Sequence, residues 1–361
     1  MVPGNKIAAA MPAPQHDEDK RAVAKCTMYC AHQCAVLCLF FFGLLYAFTK
    51  WIPSVNYPRD HPSDKSGWVD GYTDVLGRAL ADASTINRTL IITMVNRAYV
   101  EGDKPMLDLF LDSFWLGEGT RPLTNNLLIV AVDATSFDRC RFLRLHCYWL
   151  EPMTGNFEGE KLYMTRDFIE LMWRRTRFLL DVLRRGYNFI FTDTDVMWLR
   201  DPLAELIPDE SMDLQISVDH FNGNQWSTRN PVNTGFYMIR SNNRTISLLR
   251  EWYDRRKSSG RAKEQDVLQQ MVREGVLWRL GLKVRFLDTV RFSGFCNDSK
   301  DISRVATVHA NCCRSIDAKL ADLMVVIHDW RKFTIKSASG RGGAQEGFRW
   351  SKHEACWKSW H

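Results

Sequence analysis

The chain has 361 residues, 45% of them hydrophobic and 25% charged, which is enough apolar material for a sizeable core in one large domain or two ordinary ones. That balance excludes a coiled coil and a disordered acidic tail. Its 48 Lys and Arg against 42 Asp and Glu leave +6, an excess that suits an anionic small substrate and falls short of a nucleic-acid polycation.

Residues 1–25 read as a short tail carrying Lys6, Lys20, Arg21 and Lys25. Cys26 through Thr49 then runs 24 residues without a formal charge. As a helix such a run covers about 36 Å against about 30 Å of hydrocarbon, so residues 26–49 are expected to form one transmembrane signal anchor. A buried helix and a removable signal peptide are the alternatives. Positive charge before the run favours a cytosolic N-terminus and a type II arrangement with the large domain luminal. Cys26, Cys30, Cys34 and Cys38 recur every four residues and share one helical face. The other six, Cys140, Cys147, Cys296, Cys312, Cys313 and Cys356, fall in the expected lumen, where disulfides form; six cysteines allow fifteen pairings, and spacing does not choose among them. Asn87, Asn243 and Asn297 each begin an N-glycosylation acceptor sequence.

Pro53, Pro58, Pro62, Gly67 and Gly71 mark residues 50–84 as a stem. A folded domain is expected over 85–335, followed by a C-terminal tail, 336–361, in which Trp350, Trp357 and Trp360 read as packing groups before ligand-stacking ones. Within the domain, apolar runs predict strands at Thr89–Val95 and Leu127–Val132, separated by a helix through Met106, Leu109, Phe110 and Phe114. A long helix at Arg166–Arg185 ends at Gly186 and leads into a buried strand, Tyr187–Phe191. Strands at Leu214–Val218, Phe236–Ile239 and Val284–Asp288 and helices at about 242–256 and 264–274 complete an α/β pattern. Asn233, Thr234 and Gly235 read as a turn entering a strand.

The strand at Tyr187–Phe191 stops abruptly in Thr192-Asp193-Thr194-Asp195. Alternation lets both carboxylates face one space at the carboxyl edge of a sheet, where a divalent cation could join them to a diphosphate. An acidic pair of this spacing also occurs as turn capping, so position carries more weight than composition.

The run Tyr187-Asn188-Phe189-Ile190-Phe191-Thr192-Asp193-Thr194-Asp195-Val196-Met197-Trp198 resembles the core of plant nucleotide-diphospho-sugar transferases of glycosyltransferase family 77. The likeness extends to Met106–Thr120, Lys161–Arg175, Asp219-His220-Phe221, Asn230–Phe236, Gln265-Asp266-Val267 and His309–Cys313, covering roughly residues 88 to 331. It implies a GT-A-like, Rossmann-type mixed sheet with flanking helices, preceded by the single transmembrane helix. It also implies a Golgi enzyme that uses Mn2+ or Mg2+ and a nucleotide-sugar donor, UDP-linked by expectation, to glycosylate a plant cell-wall polysaccharide or glycoprotein with retention.

On that resemblance Asp193 and Asp195 are expected metal ligands, with His309 a candidate third. Asn233, Gln265 and Asp266 would serve the transferred sugar. Thr93, Arg97 and Lys319 would meet the nucleotide diphosphate, and one of Arg174, Arg175 and Arg177 could engage phosphate. Thr194 departs from the Ala common at the middle of this acidic motif but keeps both carboxylates. Two other readings are a metal-dependent hydrolase of a phosphorylated or nucleotide substrate and a catalytically silent carbohydrate-binding or scaffold protein.

Overall fold

The computed structural model describes residues 74–151, 160, 164–206, 210–338 and 348–360, with Leu39 and Gly43. Contacts divide the chain into units 1–68 and 69–361, and everything below concerns the second. The expected membrane span and stem lie outside the described residues, apart from those two positions and the end of the stem. Among the described residues no helix is long and apolar enough to cross a membrane.

The elements run α1 (Val75–Ala83), β1 (Thr89–Val95), α2 (Met106–Leu116), β2 (Leu127–Ala131), α3 (Ala134–Phe142), β3 (His146–Trp149), α4 (Arg166–Arg184), β4 (Asn188–Thr192) and β5 (Val196–Trp198). Then come α5 (Leu203–Leu206), β6 (Leu214–Val218), β7 (Val232–Ile239), α6 (Asn243–Asp254), α7 (Glu264–Arg273), α8 (Val276–Arg279), β8 (Val284–Phe286), β9 (Phe292–Gly294), β10 (Thr307–His309), α9 (Ile316–Ala338) and α10 (Glu354–Lys358). A seven-stranded mixed sheet is ordered β3-β2-β1-β4-β7-β6-β8, and β5-β10-β9 form a second, small sheet. β1, β2, β3 and β4 pair in parallel, whereas β7 is antiparallel to both β4 and β6. The expected α/β mixed sheet with flanking helices is therefore present.

Strand alternation makes the two faces of the large sheet. Leu90, Ile92, Phe189, Phe191 and Tyr237 bury one face against Leu179, Leu183, Leu248, Trp252 and Met271 of α4, α6 and α7. Ile91, Ile190, Phe236 and Met238 bury the other against Phe110, Phe114, Leu323 and Trp330 of α2 and α9. Local chemistry sets the helix ends: the Thr165 hydroxyl accepts the Phe168 N–H at the start of α4, and Gly186, at φ +77°, supplies the left-handed turn after it. The order β3-β2-β1-β4 reverses direction across the sheet between β1 and β4, which opens a crevice at their carboxyl ends.

Three expectations change. Asn233-Thr234-Gly235 is strand, because β7 starts at Val232; a register shift in its pairing with β6 explains the turn-like sequence. The boundary expected at 335 falls inside α9, which runs through Ala338. Within the expected C-terminal tail, residues 348–360 pack on the domain through Phe348, Trp350 and Cys356. The six cysteines pair as Cys140–Cys147, Cys296–Cys312 and Cys313–Cys356. Asn87 and Asn243 are exposed.

Candidate active site

Two strand pairings assemble the acidic centre. Where β4 ends at Thr192, the Asp193 N–H donates to the Gly235 carbonyl at 2.7 Å, fastening the turn to β7. β5 then pairs with β10 so that Val196 lies opposite His309, and the Ala310 N–H donates to the Asp195 carbonyl at 3.0 Å. Asp193, Asp195 and His309 thereby present ligand atoms that all lie within 4.8 Å of one another. A Cβ at Gly235 would stand 2.3 Å from His309 Cε1 and 2.9 Å from Asp193 Oδ2, so no other residue fits beneath this cluster without displacing it.

The charges around the cluster come from distant helices. Lys319 of α9 places Nζ 2.7 Å from Asp195 Oδ2, and His309 Nε2 is 3.3 Å from Asp195 Oδ1, which has no hydrogen-bond donor among the described residues. Burial alone would raise the Asp195 carboxyl, but the Lys319 ammonium and the His309 imidazole more than offset it and hold the group well below its ordinary range. Asp193 moves the other way: burial pushes it up and the neighbouring Asp195 charge adds to that, against the pull of Arg175. Asp195 in turn raises the buried Lys319 ammonium, whose own burial would lower it.

Arg175 of α4 is 4% exposed and bridges two acids, with Nη1 2.8 Å from Asp193 Oδ1 and Nη2 2.6 Å from Glu264 Oε1. Its guanidinium lies over the Phe191 ring. The Thr234 hydroxyl donates to Glu264 Oε1 at 2.8 Å, and the Thr234 N–H donates to Gln265 Oε1 at 3.1 Å. Glu264 Oε2 is buried with no hydrogen-bond partner among the described residues. Asn233 accepts the Gly235 N–H at 2.9 Å and donates to Asp219 Oδ1 at 2.8 Å.

These groups line one cavity of about 260 Å³ at the crevice predicted from the strand order. It contains Asp193, Asp195, His309, Lys319, Asn233 and Gln265 of the expected residues, together with Arg175. Thr93, Arg97 and Asp266 do not line it. Thr93 is fully buried within β1, flanked by β2 and β4. The Arg97 side chain turns outward to an exposed ion pair with Glu101 at 2.6 Å, while its neighbours Asn96 and Tyr99 face the cavity. Tyr99 is pushed up to about 12, chiefly by burial. Asp266 is exposed on the first turn of α7, where a carboxylate complements the helix N-terminus.

Glu264 and Tyr99 are among the lining groups that sequence reasoning passed over. A signal for Glu264 exists: with Val267, Leu268 and Met271 it keeps helical i, i+3, i+4, i+7 spacing, so it belongs to the apolar stripe of α7 from which Asp266 departs. Arg175 shows the same sign, lying between Leu171 and Leu179 on the buried face of α4. A charged residue within an apolar stripe needs a buried partner, and here each supplies the other's.

Two carboxylates and an imidazole around a Gly-lined cradle, one carboxylate oxygen lacking a donor, are compatible with a divalent metal ion. The model of the nucleotide-diphospho-sugar transferase family matches residues 122–323. An uncharacterized protein of Arabidopsis thaliana is 48% identical over 346 residues, covering 93% of this chain and 97% of its own length. The Arabidopsis β-arabinofuranosyltransferase RAY1 is 25% identical over 218 residues, 57% of this chain and 39% of its own. The Arabidopsis UDP-D-xylose:L-fucose α-1,3-D-xylosyltransferase MGP4 is 25% identical over 167 residues, 45% of this chain and 42% of its own.

Proposed function

The chain belongs to the nucleotide-diphospho-sugar transferase family, and from that premise we propose that it transfers a glycosyl group from a UDP-sugar to a carbohydrate hydroxyl, with a divalent cation, Mn2+ or Mg2+, as cofactor. The observation that carries this reading is the convergence of Asp193, Asp195 and His309 beside Lys319 in the cavity at the β1–β4 switch point. Asp193, Asp195 and His309 would hold the ion, which when bound neutralises charge on a departing diphosphate. Lys319 adds a fixed positive charge on the same side, worth most where charge builds up during departure. The bond from the anomeric carbon to phosphate breaks, the bond to the acceptor oxygen forms, and the acceptor proton leaves with the diphosphate or to solvent.

Asn233, Glu264 and Gln265 would face the transferred sugar. Glu264 Oε2, buried and without a partner among the described residues, offers an acceptor for a donor-sugar hydroxyl, and Arg175 fixes its carboxylate from behind. Retention at the anomeric carbon and a plant cell-wall or glycoprotein acceptor are part of the reading, supported by the arabinofuranosyl- and xylosyltransferase relatives. A type II Golgi membrane setting draws support from the charge-free run at 26–49 and from three disulfides in the domain. The test is to incubate the full chain with UDP-xylose, UDP-galactose or UDP-arabinofuranose, Mn2+ and cell-wall oligosaccharides, and to determine the product's anomeric configuration by NMR. Acceptor-dependent glycoside formation that EDTA abolishes is expected. UDP release that is independent of every acceptor would identify a hydrolase instead.

A further inference from the structure

We propose that Trp360, on the disulfide-anchored C-terminal segment, is the stacking platform for the acceptor glycan and helps to decide which acceptor is used; this rests on the transferase reading above. The indole is 47% exposed and lines the mouth of the cavity. It is fixed from two sides. Its Nε1–H donates to the Cys312 carbonyl at 2.8 Å, and the Cys313–Cys356 disulfide pins the α10 turn four residues upstream. The Arg314 guanidinium sits 5.5 Å from the ring centroid. Cys312 is itself joined to Cys296, so two adjacent cysteines tie both the loop after β9 and the C-terminal segment to one cavity wall.

That wall is the part of the cavity the donor leaves over. On the transferase reading the nucleoside end would lie at the carboxyl end of β1, beside Asn96 and Tyr99, the phosphates at Asp195 and Lys319, and the donor sugar at Asn233 and Gln265. A preordered indole in the remaining wall matches the C–H face of a sugar ring, whose positive hydrogens meet the negative π-face. Little side-chain freedom is lost on binding, because the hydrogen bond to Cys312 and the nearby disulfide already hold the ring. Trp357, 67% exposed and within α10 itself, does not line the cavity.

The experiment compares Trp360→Ala and Trp360→Phe in the full chain. Acceptor and donor KM are measured with the acceptor that supports transfer. In parallel, 5-fluorotryptophan-labelled protein with UDP and Mn2+ is titrated with methyl α-L-fucoside and with arabinobiose, the Trp360 line being the one missing from Trp360→Phe. For Trp360→Ala, acceptor KM is expected to rise roughly five- to tenfold while donor KM moves less than twofold, and for Trp360→Phe most of the loss is recovered. The Trp360 fluorine line is expected to shift with a glycan and not with UDP alone. An unchanged acceptor KM overturns the proposal, and so does a rise confined to donor KM, which would mean a nucleobase stacks there. If wild-type protein transfers nothing but a glycan shifts the Trp360 line, the platform stands and the transferase reading falls; if no glycan shifts the line, the platform falls whatever the turnover.

Discussion

Asp213 and Asp195 are equally buried aspartates, at 3% and 4% exposure, and their surroundings could hardly differ more. Asp213, just before β6, accepts from Asn242 Nδ2 and Arg244 Nη2 on one oxygen, both at 2.7 Å, and from Arg244 Nε and the Lys283 N–H on the other. Both oxygens are saturated, and the carboxylate fastens the starts of β6 and α6 to the chain entering β8. Asp195 has one oxygen on Lys319, the other 3.3 Å from His309 Nε2 and without a hydrogen-bond donor among the described residues, and a second carboxylate beside it. A closed network of this kind stabilises the fold, whereas an open one costs stability until a ligand completes it. The contrast separates structural charge from functional charge without reference to any relative.

Substitution at the two centres should give opposite outcomes, and the largest expected effect is on catalysis. Asp193→Asn should lower transfer at least about 100-fold by removing a metal ligand, while the thermal midpoint moves by no more than about 3 °C, because Arg175 keeps Glu264 as its partner. Steady-state kinetics and a melting curve check both halves; a large loss of stability with turnover intact would reverse the assignment. Asp213→Ala should do the converse. It is expected to cost about 2 to 3 kcal/mol in urea unfolding, with turnover per folded molecule within about twofold of wild type.

The pH dependence sharpens the same comparison. Burial would raise the Asp213 carboxyl, but Arg244, the Lys283 N–H and Asn242 hold it below its ordinary 3.8. The folded state therefore binds its proton less readily than the unfolded chain, so this contribution is complete above pH 3.8 and is lost as pH falls through the folded value. Stability of the wild-type chain should drop over that acid range by more than that of Asp213→Asn, measured by urea unfolding at successive pH values. The smallest effect belongs to Asp266, exposed and outside the cavity: Asp266→Asn should change kcat/KM by less than about threefold.

Much of this was legible in the sequence, and the limit lies at long-range pairing. The strands at Thr89–Val95 and Leu214–Val218 match their predicted bounds, because each is a short apolar run between polar breaks. The helix at Arg166–Arg184 follows from its stripe and from Gly186. Both acids of the Asp193–Asp195 turn were visible as the abrupt end of a buried strand. Their meeting with His309 was not derivable from periodicity, since it depends on three-residue strands, β5 and β10, pairing across more than a hundred residues. β3, β9 and the span of α9 also lie outside the predicted elements. The three-residue strands of the small sheet lack a period to detect, and α9 carries Asp322 and Asp329 on its buried side, which breaks the apolar stripe. At α7 motif position points to Asp266, whereas helical spacing points to the buried acid, Glu264.

If a cation and a nucleotide diphosphate complete the open cluster together, their binding is coupled, and calorimetric titration of UDP into the full chain, with Mn2+ and again with EDTA, measures that coupling. UDP should bind in the presence of Mn2+ and weaken at least about tenfold without it, with the metal-dependent gain lost in Asp193→Asn. Equal affinity with and without the ion, or a gain that survives Asp193→Asn, would contradict the assignment of this cluster as the metal centre.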